Sequence, residues 1–383
     1  MKKLISVFLC LLISFSGTIY CFAEEKENNT TAPFEDFSKS SILMCADTGD
    51  IIYENNAYEH LSPASVTKVM SMLLILEALE SGKISLSDEV VTSKNAVAMG
   101  GSQIWLEEGE KMTVDELLKA VAVASANDAC TALAEYIAGS TTSFVSMMNE
   151  RAKELGLENT NFENCTGLDD TATNHYSCAY DIAVISREVM QHELIKNYTT
   201  IWLDYLRNGE TELNNTNKLV NTYNGITGLK TGTTSKAGFC VCATAERDGM
   251  SLISVVLGAD TSEDRFTSAS NMLDYGFANY QIIVPEIDET QISTVKVING
   301  IEKSLMPIYD ETDKILVKKG GEDITYEYKT EPSVSAPVKS GDKLGEIIIK
   351  SGNETIRTVK LYSGKNIDKI SFSYVFKEML SNI

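Results

Sequence analysis

A serine and a lysine at the start of an apolar run, Ser65 and Lys68, are the residues whose spacing most directly suggests chemistry. The run reaches Leu79 and predicts a helix over about residues 63–81, with Ser62 as its cap. Residues three apart share a helix face, so the amine would lie one turn from the hydroxyl. A serine becomes nucleophilic when a base lies within hydrogen-bond reach, and a lysine can serve once burial lowers its pKa. The pair therefore predicts covalent catalysis.

The elements that must position this pair fall into two patterns. Strand-like runs on either side of residues 47–50 predict one β-hairpin, and those at 238–247 and 251–258 predict another. Thr113 and Glu116 have the pattern of a helix capping box. Helices are expected at about residues 114–124, 128–138, 143–155, 180–190 and 264–280. Together these elements predict one sheet with helices packed on it.

The composition changes at Pro285, where alternating Val and Ile strands and Gly-containing turns replace the helices. This pattern predicts a separate small β-domain. At the end of the chain, apolar residues fall on one face of an expected helix over about residues 372–383. That helix could lie in a membrane interface or pack on the β-domain, and the sequence leaves both possibilities open.

The first 23 residues have two lysines, an apolar stretch and a small residue at the end, which predicts a secretory signal peptide cleaved after Ala23. Residues 24–39 are polar and are expected to form a flexible leader. Without the signal peptide, 31 basic and 54 acidic residues remain, a net charge of −23. Such a surface repels nucleic acid, so no nucleic-acid partner is predicted.

Six cysteines follow the signal peptide: Cys45, Cys130, Cys165, Cys178, Cys240 and Cys242. A chain of this size needs no disulfide staples, so these cysteines are predicted to be buried free thiols, with a bridge from Cys165 to Cys178 as the alternative. The sequence has three histidines and no CxxC pair after the signal peptide. A structural zinc site is therefore not expected.

Three short motifs follow one another along the chain: Ser65-x-x-Lys68, Ser125-x-Asn127 and Lys230-Thr231-Gly232. Each is weak alone, since Ser340-Gly341-Asp342-Lys343 also matches the first. In this order, with a signal peptide and an apolar helix behind the serine, they form a specific set.

With these motifs the chain resembles the low-molecular-weight penicillin-binding proteins, specifically the serine-type D-alanyl-D-alanine carboxypeptidases (peptidase family S11). The resemblance covers about residues 40–280 and is carried by Pro63-Ala64-Ser65-Val66-Thr67-Lys68, Ser125-Ala126-Asn127-Asp128-Ala129, Asn174-His175-Tyr176-Ser177, Gly228-Leu229-Lys230-Thr231-Gly232, Ala237-Gly238-Phe239 and Asp264-Arg265-Phe266. It implies an α/β (α+β) fold. A serine β-lactamase/transpeptidase-like domain, an antiparallel sheet flanked by helices with a helical subdomain, is expected at 40–282. A small all-β domain at 283–366 would follow, and then an amphipathic tail at 367–383 that could associate with a membrane.

The resemblance also implies the catalytic roles. Ser65 would form the acyl-enzyme, and Lys68 would take its proton. Ser125 would relay a proton to the departing D-alanine, and Asn127 would bind the amide of the substrate. His175 is expected to be an exposed loop histidine or a structural donor rather than a catalytic base.

The remaining site residues would bind substrate. Lys230 would supply positive potential for the terminal carboxylate and help to keep Lys68 neutral, and Thr231 would offer that carboxylate a hydroxyl. Gly232 would leave room for an extended peptide along the strand edge. The backbone N–H of Thr233, with that of Ser65, would form the oxyanion hole. Arg265 is expected either to hold the carboxylate or to be a surface residue at a helix start.

The resemblance implies a substrate, inhibitors and a location. Peptidoglycan stem peptides would be cleaved outside the cytoplasm, at the cell wall or the outer face of the cytoplasmic membrane. β-Lactams would acylate the same serine. No cofactor is implied. One alternative is a serine β-lactamase, although Glu163-Asn164-Cys165-Thr166-Gly167 does not fit the Glu-x-x-Leu-Asn loop of class A enzymes. Another is a non-catalytic protein that binds the wall or senses β-lactams.

Overall fold

The computed structural model describes residues 32–169, 172–310 and 312–381. Its strands within these ranges are β1 (Ser40–Cys45), β2 (Ile51–Asn55), β3 (Glu89–Val91), β4 (Lys111–Thr113), β5 (Leu203–Leu206), β6 (Thr211–Asn214), β7 (Ile226–Thr234), β8 (Gly238–Arg247), β9 (Met250–Ala259), β10 (Tyr280–Ile283), β11 (Val295–Ile298), β12 (Ser304–Leu305), β13 (Ile315–Lys318), β14 (Ile324–Thr330), β15 (Ser333–Ser335), β16 (Lys343–Ser351) and β17 (Glu354–Tyr362). Its α-helices there are α1 (Lys68–Glu80), α2 (Lys94–Val97), α3 (Val114–Val123), α4 (Asn127–Ala138), α5 (Thr141–Glu154), α6 (Ala179–Gln191), α7 (Lys196–Thr199), α8 (Leu219–Thr222), α9 (Ser262–Asn279) and α10 (Phe372–Ser381).

A five-stranded antiparallel sheet with the strand order β2-β1-β9-β8-β7 is the centre of the first part of the chain. Both predicted hairpins are confirmed, as β1–β2 and β8–β9. Strands β8 and β9 are buried along most of their length because helices cover both faces of the sheet. Strand β7, which carries the Lys-Thr-Gly motif, lies at the sheet edge.

The predicted helix behind Ser65 exists, but it begins differently from the expectation. Its first turn, Ala64–Thr67, is a 3-10 helix, and α1 follows at Lys68. The expected cap by Ser62 is wrong, because Pro63 occupies the cap position and the Ser62 hydroxyl contacts Asp169 at 3.5 Å. Nearly all of α1 is buried, so its start is fixed by packing on all sides rather than by a capping side chain.

Helices α3, α4 and α5 form a helical subdomain beside α1. The predicted capping box of α3 is confirmed: the Thr113 hydroxyl accepts from the Glu116 N–H, and the Glu116 carboxylate accepts from the Thr113 N–H. A second capping box, between Thr261 and Asp264 at the start of α9, was not predicted. It moves the start of α9 to Ser262, which explains the difference from the expected residue 264.

The expected signal peptide, residues 1–23, and the first part of the expected leader lie outside the described residues. The prediction of a flexible leader is wrong for residues 34–39. The Phe34 ring packs 4.7 Å from that of Tyr53, and Asp36 accepts a hydrogen bond of 2.5 Å from the Ser41 hydroxyl. One aromatic anchor and one partly buried acceptor order this polar segment.

After β10 the chain forms the predicted small β-domain, with strand orders β12-β11-β15 and β14-β16-β17 and a β10–β13 pair. Lys314 of this domain forms an ion pair of 2.8 Å with Asp47 of the hairpin β1–β2. The chain ends in α10, whose Phe372 is 85 % exposed and whose Met379 and Leu380 are also exposed, so its apolar face does not pack on the β-domain. Within the described ranges, every helix is too short or too polar to span a bilayer.

All six cysteines after residue 23 are buried free thiols, as predicted. The alternative bridge from Cys165 to Cys178 does not form. Cys178 instead begins α6, where its sulfur accepts a hydrogen bond from the Asp181 N–H at 3.4 Å.

Candidate active site

Ser65 and Lys68 lie together at the start of α1, as their spacing predicts. The Lys68 Nζ is hydrogen-bonded to the Ser65 Oγ at 3.0 Å and to the Thr166 carbonyl oxygen at 2.7 Å. The lysine side chain is fully buried, with 0 % exposure. Burial lowers the pKa of Lys68 from 10.5 to about 8, although the neighbouring thiols of Cys130 and Cys165 act in the opposite direction. A neutral amine beside a serine hydroxyl is the arrangement that general-base activation needs.

The loop of residues 163–168 closes over Lys68. The Ser71 hydroxyl of α1 donates a 2.6 Å hydrogen bond to the Cys165 carbonyl oxygen. The Asn164 side chain accepts from the N–H groups of Thr166 and Gly167, which fixes the turn. At Gly167, with φ of +83°, an added Cβ would lie 1.8 Å from the Ala64 carbonyl oxygen. The loop therefore packs backbone to backbone against the turn that carries Ser65.

His175 supports the same turn. It is buried, so the expectation of an exposed loop histidine is wrong, and its hydrogen bonds agree with the alternative of a structural donor. Its Nδ1 accepts from the Glu163 N–H at 3.0 Å, so its Nε2–H donates to the Thr67 hydroxyl, 2.8 Å away. Burial lowers the pKa of His175 from 6.5 to about 4, which keeps the ring neutral. The histidine thus connects the loop to the residue that precedes Lys68.

Ser125 and Asn127 lie between α3 and α4, both nearly inaccessible. Ser125 has a φ of +61°, and its hydroxyl has no hydrogen-bond partner among the described residues. The Asn127 side-chain N–H donates to the Gly100 carbonyl oxygen at 2.7 Å, whereas its Oδ1 is buried with no described partner. A buried acceptor left unpaired in this way is available to a substrate N–H.

Strand β7 brings the third motif against the nucleophile turn. A Cβ on Gly232 would lie 2.7 Å from the Pro63 carbonyl oxygen and 2.8 Å from the Ser65 backbone nitrogen, so only glycine permits this approach. Lys230 is buried, and its Nζ donates to the Thr231 carbonyl oxygen at 3.0 Å.

The two lysines are electrostatically coupled, which is what the expectation that Lys230 helps to keep Lys68 neutral requires. Burial is the main cause of the lowered pKa of Lys68. Burial also lowers the pKa of Lys230 well below 10.5, and the positive charges of Lys68 and Arg265 lower it further. The mutual repulsion therefore favours a state in which the two amines are not both charged.

Arg265 is only 7 % exposed, so the alternative of a surface residue is wrong. Its Nη1 donates to the carbonyl oxygens of Gly232 and Cys240 and to the Thr233 hydroxyl, each at about 3.0–3.1 Å. Burial lowers the pKa of Arg265 from 12.5 to about 10. The guanidinium clamps the end of β7 and adds positive charge there.

The sequence motifs did not predict that Thr216 contacts the site. Its hydroxyl accepts a 2.7 Å hydrogen bond from the Thr231 hydroxyl, and its N–H donates to the Val123 carbonyl oxygen at 3.2 Å. The two flanking asparagines, Asn215 and Asn217, are buried. The pattern Asn-x-Asn shortly before a strand could have drawn attention to this segment, but nothing local indicates which strand it touches.

The loop of residues 100–106 contacts Asn127 through the Gly100 carbonyl oxygen and carries an exposed tryptophan. Buried Asp128 accepts from the N–H groups of Ile104 and Leu106 and so fixes Trp105, which has a φ of +59° and is 77 % exposed. Arg207 donates to the carbonyl oxygens of Ile104 and Trp105 and thereby joins this loop to the hairpin β5–β6. Directly before β5, the second tryptophan, Trp202, is also exposed.

The predicted residues Ser65, Lys68 and Gly232 are connected by direct contacts. Lys230, Thr231 and Thr233 lie with Gly232 on β7, and Arg265 of α9 binds the end of that strand. Ser125 and Asn127 form the opposing wall at the start of α4. A buried serine–lysine pair beside an edge strand, with a cluster of cationic side chains, can perform acyl transfer on an extended peptide with an anionic end.

Two family models match the chain. The D-alanyl-D-alanine carboxypeptidase model covers residues 26–261, and the model of the penicillin-binding protein 5 C-terminal domain covers residues 287–369. Among solved structures, the chain is similar to penicillin-binding protein 5 from Haemophilus influenzae, with a TM-score of 0.80 and 29 % identity over 88 % of this chain and 99 % of that one. It is also similar to penicillin-binding protein D2 from Listeria monocytogenes in its ampicillin-bound form, with a TM-score of 0.59 and 29 % identity over 64 % of this chain and 98 % of that one.

The similarity to characterised relatives extends over the whole chain. The chain is 40 % identical to the D-alanyl-D-alanine carboxypeptidase DacF of Bacillus subtilis, over 100 % of this chain and 99 % of the relative. It is 34 % identical to DacC of Escherichia coli, over 94 % of this chain and 92 % of that relative. From the buried serine–lysine pair to the C-terminal β-domain, the chain belongs to the D-alanyl-D-alanine carboxypeptidase family, as its motifs implied.

Proposed function

We propose that the protein is a serine-type D-alanyl-D-alanine carboxypeptidase that removes the terminal D-alanine from peptidoglycan pentapeptide stems. The observation that carries the proposal is the 3.0 Å contact between the Ser65 Oγ and the Lys68 Nζ, on a lysine whose pKa is lowered to about 8. Family membership and the carboxypeptidase activity of the relatives support the same reaction.

In the acylation step, the Ser65 oxygen attacks the carbonyl carbon of the penultimate D-alanine while its proton passes to the Lys68 amine. The backbone N–H groups of Ser65 and Thr233 stabilise the oxyanion. The carbon–nitrogen bond then breaks, and the leaving amine takes a proton through the Ser125 hydroxyl. Water later cleaves the ester, which restores the serine and releases the shortened peptide.

Substrate binding uses the groups that the fold leaves unpaired. The Asn127 Oδ1 accepts from an N–H of the stem peptide, which lies along β7 as an added strand beside Gly232. The terminal carboxylate lies near Thr231, Lys230 and Arg265. A bound carboxylate raises the pKa of Lys230, and the charge gained there disfavours protonation of Lys68. Substrate binding thereby promotes the base form of Lys68.

The test is release of free D-alanine from a pentapeptide ending in D-Ala-D-Ala by the purified protein and by a Ser65→Ala variant. Release by the first protein alone is expected, together with covalent labelling by penicillin that the variant has lost. Labelling that persists in the variant would refute the role of Ser65, and no release by either protein would refute the proposed activity.

β-Lactams are proposed to act as covalent inhibitors at Ser65, since the chain is similar to a penicillin-binding protein described in an ampicillin-bound form. The structure offers no support for a β-lactamase with a Glu163 base, because the Glu163 carboxylate is exposed and accepts from the Asn174 N–H. Rapid turnover of penicillin would favour the β-lactamase reading. A stable acyl-enzyme without peptide turnover would favour a sensor.

We also propose export by residues 1–23 and contact of the tail with a membrane surface. The support is the exposed apolar face of α10, formed by Phe372, Val375, Phe376, Met379 and Leu380. The domain boundaries at about residues 283 and 367 belong to the same proposal. Flotation with phospholipid vesicles should recover the full chain but not a chain ending at Lys369, and equal recovery of both would refute the membrane contact.

A further inference from the structure

The inference concerns two threonine hydroxyls at the end of the site, those of Thr231 and Thr216, whose oxygens are 2.7 Å apart. We propose that Thr216 is a specificity-determining residue that donates the hydrogen bond by which the terminal carboxylate of the substrate is recognised. The proposal rests on the proposed carboxypeptidase function and extends it to a residue outside the three motifs.

The number of protons on the two hydroxyls identifies Thr216 as the donor to the substrate carboxylate. A hydroxyl has one proton to donate, and that of Thr231 is used on the Thr216 Oγ. Within residues 32–169, 172–310 and 312–381, no group accepts the Thr216 proton. Thr231 is almost inaccessible, whereas Thr216 is partly exposed. The donor that an incoming anion meets is therefore Thr216, polarised by the bond that it accepts from Thr231.

The side chains of the two asparagines that flank Thr216 hold it in place. The Asn215 side chain donates to the carbonyl oxygens of Thr199 and Ile201, at 3.2 and 2.7 Å. The Asn217 side chain donates to the Gly228 carbonyl oxygen of β7 at 3.0 Å. Two buried amides thus fix the residue between them, and such preorganisation suits a recognition contact.

The contacts of Thr216 place it at the carboxylate end of the site. Its N–H bonds to Val123, two residues before Ser125, so it spans the gap between the helical subdomain and β7. Arg265 supplies charge there, but its Nη1 is occupied by the Gly232 and Cys240 carbonyl oxygens and the Thr233 hydroxyl. A neutral donor with a free proton complements this charge, since an anion is bound best by both.

The experiment compares two peptides that differ only at the end: a pentapeptide ending in D-Ala-D-Ala and the same peptide with a terminal carboxamide. We expect wild-type protein to prefer the carboxylate peptide. Thr216→Val should lower kcat/KM for the carboxylate peptide by about 10- to 100-fold, the value of a hydrogen bond to a charged group. It should lower kcat/KM for the carboxamide peptide less, by about 2- to 10-fold, because the bond lost there is to a neutral oxygen.

Controls separate recognition from structure. Thr216→Ser keeps the hydroxyl and should restore the preference, and Thr222→Val, on exposed α8, should leave both peptides unchanged. An equal loss on both peptides, or an unchanged preference in Thr216→Val, would overturn the proposal. Thr216→Ala answers the same question if the valine variant does not fold. No D-alanine release by wild-type protein would instead refute the proposed function.

Discussion

The pH dependence of acylation follows from the buried amine of Lys68. Only the neutral amine can accept the Ser65 proton, and with a pKa of about 8 it is present above that pH. At pH 7 about one molecule in ten then has the neutral amine, against about one in 3,000 for an unperturbed lysine. Burial thus gives an advantage of about 300-fold, equivalent to about 3 kcal/mol.

The assay is kcat/KM for an N-acetylated pentapeptide from pH 6 to 9.5, measured by D-alanine release. The peptide should carry no group that titrates in this range. We expect a rise of about eightfold from pH 7 to 8.5, with an inflection near 8. Lys68→Arg should be inactive throughout, because arginine stays protonated. A flat profile, or a rise that continues with unit slope to pH 9.5, would refute lysine desolvation as the source of activity.

Three further predictions concern the support of the site. Gly232→Ala should lower acylation by about 100-fold or more, because the new Cβ would displace the backbone beside Ser65. Asp128→Asn should cost about 1–3 kcal/mol in urea unfolding, because backbone N–H groups of the Trp105 loop lose an acceptor. His175 has a pKa of about 4 in the folded protein, below its unfolded value of 6.5. Its contribution to the free energy of unfolding should therefore be complete above pH 6.5 and fall by about 3 kcal/mol towards pH 4.

Each of these predictions has a control or a contradicting result. Acylation of Gly232→Ala within about threefold of wild type would contradict the close approach of β7. Asp260→Asn, at an exposed carboxylate, should change the free energy of unfolding by less than about 0.5 kcal/mol. An equally small effect of Asp128→Asn would show that the hydrogen bonds of Asp128 to the Trp105 loop do not stabilise the protein. His175→Gln should lack the loss of stability between pH 6.5 and 4, and an unchanged pH dependence in this variant would assign it to other groups.

Local patterns were sufficient where the interaction is local. The spacing of Ser65 and Lys68 predicted their contact because both lie within one helical turn, and the capping box of Thr113 and Glu116 is equally short-range. The two hairpins followed from turn residues between alternating runs. The small β-domain followed from a change of composition at Pro285.

What escaped prediction depends on contacts between distant segments. Arg265 could not be placed as buried or exposed, since its partners lie 25 to 33 residues away on β7 and β8. Thr216 meets Thr231 because the Asn217 side chain ties its segment to β7 at Gly228. The polar segment that contains Asp36 looked flexible, but it is ordered by Tyr53 and Ser41 from the hairpin β1–β2. In each case the polar partner belongs to another element.

The chain has two tryptophans, and both are exposed: Trp105 in the loop that Arg207 holds, and Trp202 directly before β5. Intrinsic tryptophan fluorescence of this protein therefore reports on these two surface segments rather than on the apolar interior. An emission change without a matching change in circular dichroism would mark local release of the loop that Asp128 and Arg207 secure. Replacing Trp202 with phenylalanine would leave Trp105 as a single optical probe of the loop that contacts Asn127 through Gly100.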